Sequence, residues 1–178
     1  MDGLIDLFLA EKAEQVRVSI PFRDLHKKKL RLSELDIGAN QLTDEGLKSV
    51  ARFLRLNPPL EYLGLSQNAA VDLTSWCELF NILKDKAAIS HLLLDENKLG
   101  NEGAKRLADA LCVNGSLRKV DLDWNEIGDE GGLALADALT SNPHRSLVHL
   151  SLDGNKLSIG VKKELNALIT ENNQRSPT

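Results

Sequence analysis

Three aspartates stand at nearly equal intervals, since Asp95, Asp123 and Asp153 are 28 and 30 residues apart. Gathered carboxylates bind Ca²⁺ or pair with the Lys and Arg side chains of a partner. A Ca²⁺ site needs roughly six to eight oxygens from a wrapped loop, and a row of separate carboxylates offers few. We therefore expect no metal and no cofactor, and interpret the aspartates as a surface for a basic protein partner.

Histidine, serine and cysteine are the other residue types that could do chemistry. We expect His91 and His149 two strands apart, about 10 Å, which is too far for them to share zinc. His149 and Ser151 share a strand face, but no third residue completes a hydrolytic triad. Cys77 and Cys112 fall within predicted helices, where we expect reduced, buried thiols. The sequence therefore predicts a protein that is not an enzyme.

A repeated phrase, Leu-x-x-Leu-x-Leu-x-x-Asn, sets these spacings. Its five copies end at asparagines 28, 29, 28 and 30 residues apart: Asn40, Asn68, Asn97, Asn125 and Asn155. A short strand would turn its first, fourth and sixth side chains inward. The asparagine can bond backbone groups in the bend that follows, where an unmet buried group costs about 1–3 kcal/mol. The phrase predicts a stacked solenoid in which asparagine is structural.

A helical pattern follows each phrase. Apolar or small residues recur on one helix face after a glycine that stands six residues beyond the asparagine, as at Gly46, Gly103 and Gly131. Eleven residues further on stands an asparagine that tolerates the left-handed turn ending a helix: Asn57, Asn114 or Asn142. Asn114 also begins a glycosylation sequon, but its place in the repeat favours the helix terminator. The second repeat is irregular, with one inserted residue and Ser75 in the glycine's place.

Together these patterns predict an α/β fold, a leucine-rich repeat solenoid. We expect a right-handed βα superhelix in a horseshoe arc, with a parallel sheet on the concave face and helices on the convex face. Residues 1–31 are predicted to form an N-terminal cap, with a helix over 2–15 and a shortened repeat that places Arg17 beside Glu34. Five repeats and a C-terminal cap helix are expected over residues 32–171, followed by a polar tail over 172–178, all in one domain.

The repeat resembles the ribonuclease-inhibitor-like class of leucine-rich repeats, because strand and helix alternate over 28–29 residues with Asn-x-Leu/Ile-x-x-x-Gly across residues 32–169. Members include ribonuclease inhibitor, the sensor regions of NLR immune receptors, the Ran GTPase-activating protein and the tropomodulin C-terminal domain. The resemblance implies a non-catalytic protein-binding module, an adaptor or regulator. Its alternatives are a GTPase activator, whose loop arginine is missing here, and an actin-filament regulator, whose amphipathic N-terminal arms are missing.

Composition limits the partner and the location. A net charge of -4 argues against nucleic acid, whose binding needs a basic footprint. No apolar run approaches the length of a membrane span. The first ten residues carry Asp2 and Asp6 and no Lys or Arg, so they make a poor secretory signal. We expect a monomer in the cytoplasm (intracellular) that binds neither nucleic acid nor membrane.

Strand alternation defines the expected concave surface, where Leu93 and Trp124 stand among acidic residues. A large aromatic side chain rimmed by charge is a common interface anchor, so we interpret both as anchors and the aspartates as partners for Lys or Arg. The alternative is that aspartate simply suits the bend and Trp124 packs on a neighbouring segment. The predicted partner-binding residues are Tyr62, His91, Leu93, Asp95, Glu96, Lys119, Asp121, Asp123, Trp124, His149 and Asp153.

Overall fold

Short strands alternate with longer helices in the computed structural model, which describes residues 17–19, 32–85 and 88–175. The strands are β1 (Arg17–Ser19), β2 (Glu34–Asp36), β3 (Tyr62–Gly64), β4 (His91–Leu93), β5 (Lys119–Asp121) and β6 (His149–Ser151). The helices are α1 (Asp44–Arg55), α2 (Leu73–Leu83), α3 (Gly100–Leu111), α4 (Asp129–Ser141) and α5 (Ile159–Arg175). Five strand-helix units confirm the predicted α/β solenoid.

One six-stranded sheet takes its strands in chain order, from β1 to β6. Strands β2 to β6 pair in parallel without any slip between repeats, so that Leu35, Leu63, Leu92, Val120 and Leu150 face one another in sequence. Helices α1 to α5 pack against one another in the same order. The constant register follows from the constant repeat, because a one-residue slip would turn the buried leucines to the solvent.

The first strand departs from the prediction. β1 runs antiparallel to β2, so Arg17 pairs with Asp36 and Ser19 with Glu34, and the expected placement of Arg17 beside Glu34 is wrong. Parallel strands need a crossover of a dozen or more residues, usually a helix, whereas antiparallel strands need only a short connection. Only residues 20–33 separate the two strands, about half of a full repeat. The cap helix predicted over residues 2–15 lies outside the described residues.

The core consists of the leucine rows. Leu35, Leu63 and Leu92 are fully buried, as are the leucines two residues further along β3 and β4, Leu65 and Leu94. Each such side chain contributes roughly 1.5–3 kcal/mol by leaving water, and it does so only because the neighbouring repeats cover it. The hydrophobic core therefore forms only when several repeats stack on one another.

A glycine in the first turn of α1, α3 and α4 lets these helices approach the core. A Cβ on Gly103 would lie 2.7 Å from the Cβ of Leu99, so any side chain there would push the helix away. In the irregular second repeat Ser75 occupies the same place and is buried. There Val71 is buried and Ala70 exposed, which confirms the inserted residue.

Asparagines join each bend to the next repeat. The side-chain oxygen of Asn97 accepts the backbone N–H of Asn68 at 2.7 Å, and that of Asn125 accepts the N–H of Asn97 at 3.1 Å. Asn155 does the same for Asn125 at 3.0 Å. The side-chain amide of Asn97 meanwhile donates to the carbonyls of Leu65 and Leu94 at 3.0 and 2.8 Å. These bonds, the asparagine ladder, confirm that the closing asparagine of the phrase is structural.

A second set of asparagines joins the opposite ends of the repeats. The amide of Asn114 donates to the carbonyl of Leu83 at 2.6 Å, and Asn142 donates to Leu111 and to Asn114. The left-handed terminator predicted at these positions is found only at Asn57, where φ is 55°. Asn114 is only 2% exposed, so its sequon is closed to glycosylation in the folded chain. At Asn114 and Asn142 the buried side chain bonds the preceding repeat, and the residue does not adopt the left-handed turn that was predicted.

The last helix is longer than predicted, because it continues to Arg175 instead of ending near residue 171. Asn172, assigned to a polar tail, is only 2% exposed, and its amide donates to the carbonyl of Leu147 at 3.0 Å. Glu171 pairs with Arg175 one turn further along. The boundary was missed because a polar asparagine resembles a helix end in sequence, whereas here it bonds the residue that opens its own repeat.

Replacing Asn97 by alanine should lower the free energy of unfolding by about 3 kcal/mol, because it removes the acceptor of one buried N–H and one of the two amide donors at each of two carbonyls. Chemical denaturation followed by circular dichroism measures this change. The control is Asn173→Ala, which removes one exposed bond to Val148 and should cost less than about 1 kcal/mol. Equal losses in the two variants would contradict a structural ladder.

Candidate functional site

The register brings the predicted partner-binding residues together on one face. Tyr62, His91, Lys119 and His149 form one row across strands β3 to β6, and Gly64, Leu93, Asp121 and Ser151 form the next. Side chains that alternate with them point into the core. The remaining predicted residues follow directly after strands β4, β5 and β6: Asp95, Glu96, Asp123, Trp124 and Asp153. We call this set the concave acidic face.

Asp121 lies deepest among these carboxylates and is half-buried. Burial raises the pKa of its carboxyl, and the neighbouring charges of Asp123 and Asp95 raise it further. The N–H of Asp123, which donates to Asp121 at 3.1 Å, and the ammonium of Lys119 oppose that rise. The ionised carboxylate of Asp121 therefore lowers the stability of the fold, and a cation bound beside it would reduce this loss.

Asp123 is part of the bend itself. Its carboxylate accepts the hydroxyl of Ser151 and the backbone N–H of Asp153, both at 2.6 Å. One repeat earlier, the hydroxyl of Ser66 donates to Asp95. Aspartate suits this bend, as the alternative interpretation predicted, and the missed participants are the two serines. Their signal was in the sequence, since Ser151 stands two residues before Asp153 and Ser66 occupies in its repeat the position that Asp95 occupies in the next.

These carboxylates lack basic partners. Within residues 32–85 and 88–175, no ion pair joins a Lys or Arg side chain to any of five acids: Asp95, Glu96, Asp121, Asp123 and Asp153. Glu96 is exposed and accepts a bond only from the amide of Gln67, at 3.0 Å. By contrast, the bend residue Glu126 pairs with Lys156. Within the described ranges the five carboxylates therefore form no ion pair, although the ammonium of Lys119 acts on Asp121.

Trp124 lies at the border between the last two repeats and is 64% exposed. A Cβ on Gly154 would overlap its ring-fusion carbon Cδ2 and lie 2.6 and 2.7 Å from Cε2 and Cε3. A ring-fusion carbon can be approached only through a face of the ring, so the indole rests face-on against Gly154. One face is thus fixed and the other is open to solvent. Trp124 therefore packs on a neighbouring segment, as the alternative predicted, and it also stays exposed, while its role as a binding anchor stays a prediction.

His91 and His149 lie on the concave acidic face, and their described neighbours are as follows. The rings of His91 and Tyr62 stack with centroids 6.4 Å apart, and His91 shares a hydrogen bond with the hydroxyl of Ser90 at 2.8 Å. The hydroxyl of Ser151 donates to Asp123 rather than to His149. Within the described ranges, no group of three or more His, Cys, Asp or Glu side chains is placed to hold a metal ion.

The two cysteines are unpaired and half-buried, so the expectation of buried thiols is only partly correct. Burial raises the pKa of the Cys112 thiol, and the nearby charges of Asp109 and Asp137 raise it too. A raised pKa lowers the thiolate fraction and therefore the nucleophilicity of this thiol. Cys112 borders a groove between α3 and α4 on the convex side, far from the concave acidic face.

Comparison with known proteins identifies the repeat. A family model described as leucine-rich repeat matches residues 32–51 and 113–136. Two mouse proteins, NACHT, LRR and PYD domains-containing proteins 4E and 4C, are each 36% identical over 81 residues, 45% of this chain. The matched region spans only 8% of each relative's length.

Two solved structures share the fold at low sequence identity. The leiomodin-1 actin-binding site 2 structure has a TM-score of 0.69 at 18% identity, covering 87% of this chain and 88% of that one. The Caenorhabditis elegans tropomodulin C-terminal domain has a TM-score of 0.52 at 14% identity, covering 72% and 94%. None of the helices described in the present chain is both long and apolar enough to cross a membrane.

Replacing Asp121 by asparagine should stabilise the protein at pH 7, because it removes a charge held among like charges while keeping the oxygen that accepts the N–H of Asp123. One such repulsion is worth up to about 1 kcal/mol, or about 1–3 °C in Tm for a chain of this size. A carboxyl whose pKa is raised by folding favours the fold below its unfolded pKa and loses that benefit as pH rises through its folded pKa. The advantage of the variant should therefore shrink on acidification, as calorimetry at several pH values would show.

The control is Asp137→Asn, an exposed substitution on the convex side that should change the Tm less. A lower Tm for Asp121→Asn at pH 7, or an advantage that grows at acidic pH, would show that the charge of Asp121 supports the fold.

Proposed function

The chain is a leucine-rich repeat protein, and we therefore propose that it is a non-catalytic module that binds another protein through its concave acidic face. Leucine-rich repeats expose an extended concave surface, which is a common way for solenoids to bind partners. The partner would carry Lys or Arg at the contact, because the five acids of this face form no ion pair within the described chain. We also place the protein inside the cell, in keeping with its unpaired cysteines.

The observation that carries this proposal is Trp124. Most of the Trp124 indole is exposed to water, which is unfavourable for an apolar ring. Because the ring already packs against Gly154, the side chain would lose little further conformational freedom on binding. Tryptophan is also among the residues most enriched at binding hot spots. Leu93, half-buried on the neighbouring strand, extends the apolar centre, and the carboxylates form its rim. An apolar centre with a charged rim is the usual anatomy of a protein interface.

The acids divide into two groups for this role. Asp121 accepts the N–H of Asp123 in its own bend and Asp123 bonds the next bend, so reversing either charge would disturb the fold and confuse a binding test. Glu96 is exposed and bonds only Gln67, which is also exposed. Glu96 stands beside Trp124 in the row of bend residues, one repeat earlier. It is therefore the acid whose charge can be reversed with the least structural consequence.

Trp124→Ala should weaken partner binding at least about 30-fold, the loss expected for a hot spot worth 2 kcal/mol or more. Partners captured from native lysate with the wild-type chain would be identified by mass spectrometry and their affinities measured by calorimetry. Leu56→Ala is the matched control, because Leu56 is 80% exposed at the end of α1, away from the concave acidic face. It should leave the affinity unchanged.

Glu96→Lys should reduce the association rate and make it less dependent on salt, because exposed charges at the rim of an interface steer encounter. Circular dichroism of each variant would confirm folding. Binding that survives Trp124→Ala in a folded variant would place the partner on another surface and overturn the proposal.

Regulation of actin filaments is the second candidate function, favoured by one observation. The fold matches leiomodin-1 actin-binding site 2 over 87% of this chain. We predict that, if this function holds, the chain will co-sediment with filamentous actin or change the rate of pyrene-actin polymerisation. Trp124→Ala should then abolish the effect while Leu56→Ala keeps it. Absence of both effects at concentrations well above that of actin would remove this candidate and leave the general proposal intact.

A further inference from the structure

The C-terminal end of the solenoid leaves its last core layer partly open. Leu150 and Leu152 are half-buried, whereas the same two positions in the preceding repeats, Leu92 and Leu94 among them, are fully buried. A groove of about 220 Å³ separates β6 from α5 there. Its lining residues include Leu150, Leu152, Lys162, Leu165, Asn166 and Ile169. The array therefore ends in apolar surface that another layer would cover.

The backbone at this edge has a definite polarity. The N–H of Leu122 donates to the carbonyl of Ser151, so the polar groups of Ser151 face β5. Because successive residues of a strand turn their polar groups to opposite sides, Leu150 and Leu152 turn theirs outward. β6 is the last strand of the sheet among the described residues, so those groups lie on its outer edge. The carbonyl of Leu152 accepts the side-chain amide of Asn155 at 3.1 Å and keeps a second lone pair for a further donor. Proline and lysine, which protect many natural edges, are absent from residues 148–154.

This edge is complementary to itself. If two copies of β6 met antiparallel about a dyad at Ser151, Leu150 of each would lie opposite Leu152 of the other. The outward N–H and C=O groups of each leucine pair would then exchange two hydrogen bonds, as antiparallel strands require. His149 of each copy would lie opposite Asp153 of the other, in the register where cross-strand side chains come closest. Both side chains are exposed and make no ion pair within the described chain.

From this complementarity we propose that the β6 edge is a dimer interface, and that its occupant is a second copy of the same chain. The two sheets join into one, the half-buried leucines of both copies cover each other, and the two His149–Asp153 pairs fix the register. A twofold contact of this kind closes on itself, so assembly stops at two. The proposed dimer differs from the monomer expected from the sequence, and it shares His149 and Asp153 with the border of the concave acidic face.

Sedimentation equilibrium of the full chain over a wide concentration range tests the proposal directly. We expect a concentration-dependent monomer–dimer equilibrium with no larger species. Amide hydrogen exchange supplies the location, because dimerisation should slow exchange at the N–H groups of Leu150 and Leu152 as the protein concentration rises. A chain that stays monomeric up to about 1 mM has no useful affinity for itself and overturns the proposal.

Swapping the charges at residues 149 and 153 distinguishes a dimer formed through the β6 edge from a dimer formed through another surface. Asp153→Lys places lysine opposite the partner's His149, and His149→Asp places two aspartates opposite each other. Each single variant should raise the dimer Kd about tenfold, because two symmetry-related pairs change together. The double variant His149→Asp/Asp153→Lys restores opposite charges and should recover most of the affinity. Loss of folding cannot imitate that recovery.

His91→Asp is the matched control, because it makes the same change at the same repeat position on β4, an inner strand. It should leave dimerisation unchanged. A dimer that is insensitive to both single variants, or one that forms without protection of Leu150 and Leu152, would use a different surface and would refute the assignment.

Discussion

Each bend of this solenoid is completed by a side-chain amide from the next repeat. The backbone N–H of Asn68 finds its acceptor on Asn97, and the N–H of Asn97 finds its acceptor on Asn125. These groups are buried, and no ladder of the sheet reaches them, so an isolated repeat would leave them unmet. The cooperativity of the fold therefore has a polar component beside the burial of leucine. A repeat needs the next repeat to complete its buried hydrogen bonds as well as to bury its leucines.

The ladder also determines how the candidate site is displayed. Holding the bend tightly forces the residue before each asparagine into the left-handed region, as at Gln67, Glu96 and Trp124, where φ lies between 55° and 57°. L-residues adopt this conformation at a cost of roughly 1–2 kcal/mol, which the surrounding bonds must offset. The side chain at this position lies outside the core and is free to vary. Binding residues can change there while the scaffold stays the same.

The scaffold was predictable because its residues repeat and their periods are physical. Leu63 and Leu92 recur in the same register, and Asn97 closes the phrase as expected. The direction of β1 was not predictable, since nothing in three residues of strand distinguishes parallel from antiparallel pairing. The packing and exposure of Trp124 were not predictable either, because its face-on contact with Gly154 depends on how two successive repeats are placed. Alternation showed which residues share the concave face, but not which acids are already used by the bend.

Asparagines hold both ends of the third and fourth repeats to their neighbours, and this has a mechanical consequence. The bend ladder fixes one end of strands β3 to β6 to the adjacent strand, and the bonds of Asn114 and Asn142 fix the opposite end. The helices on the outer side contact one another mainly through side chains, which slide more easily than hydrogen bonds stretch. The solenoid thus has a stiff inner rim and a compliant outer rim. When it flexes, the distances between helices change while the spacing of side chains along the sheet stays constant.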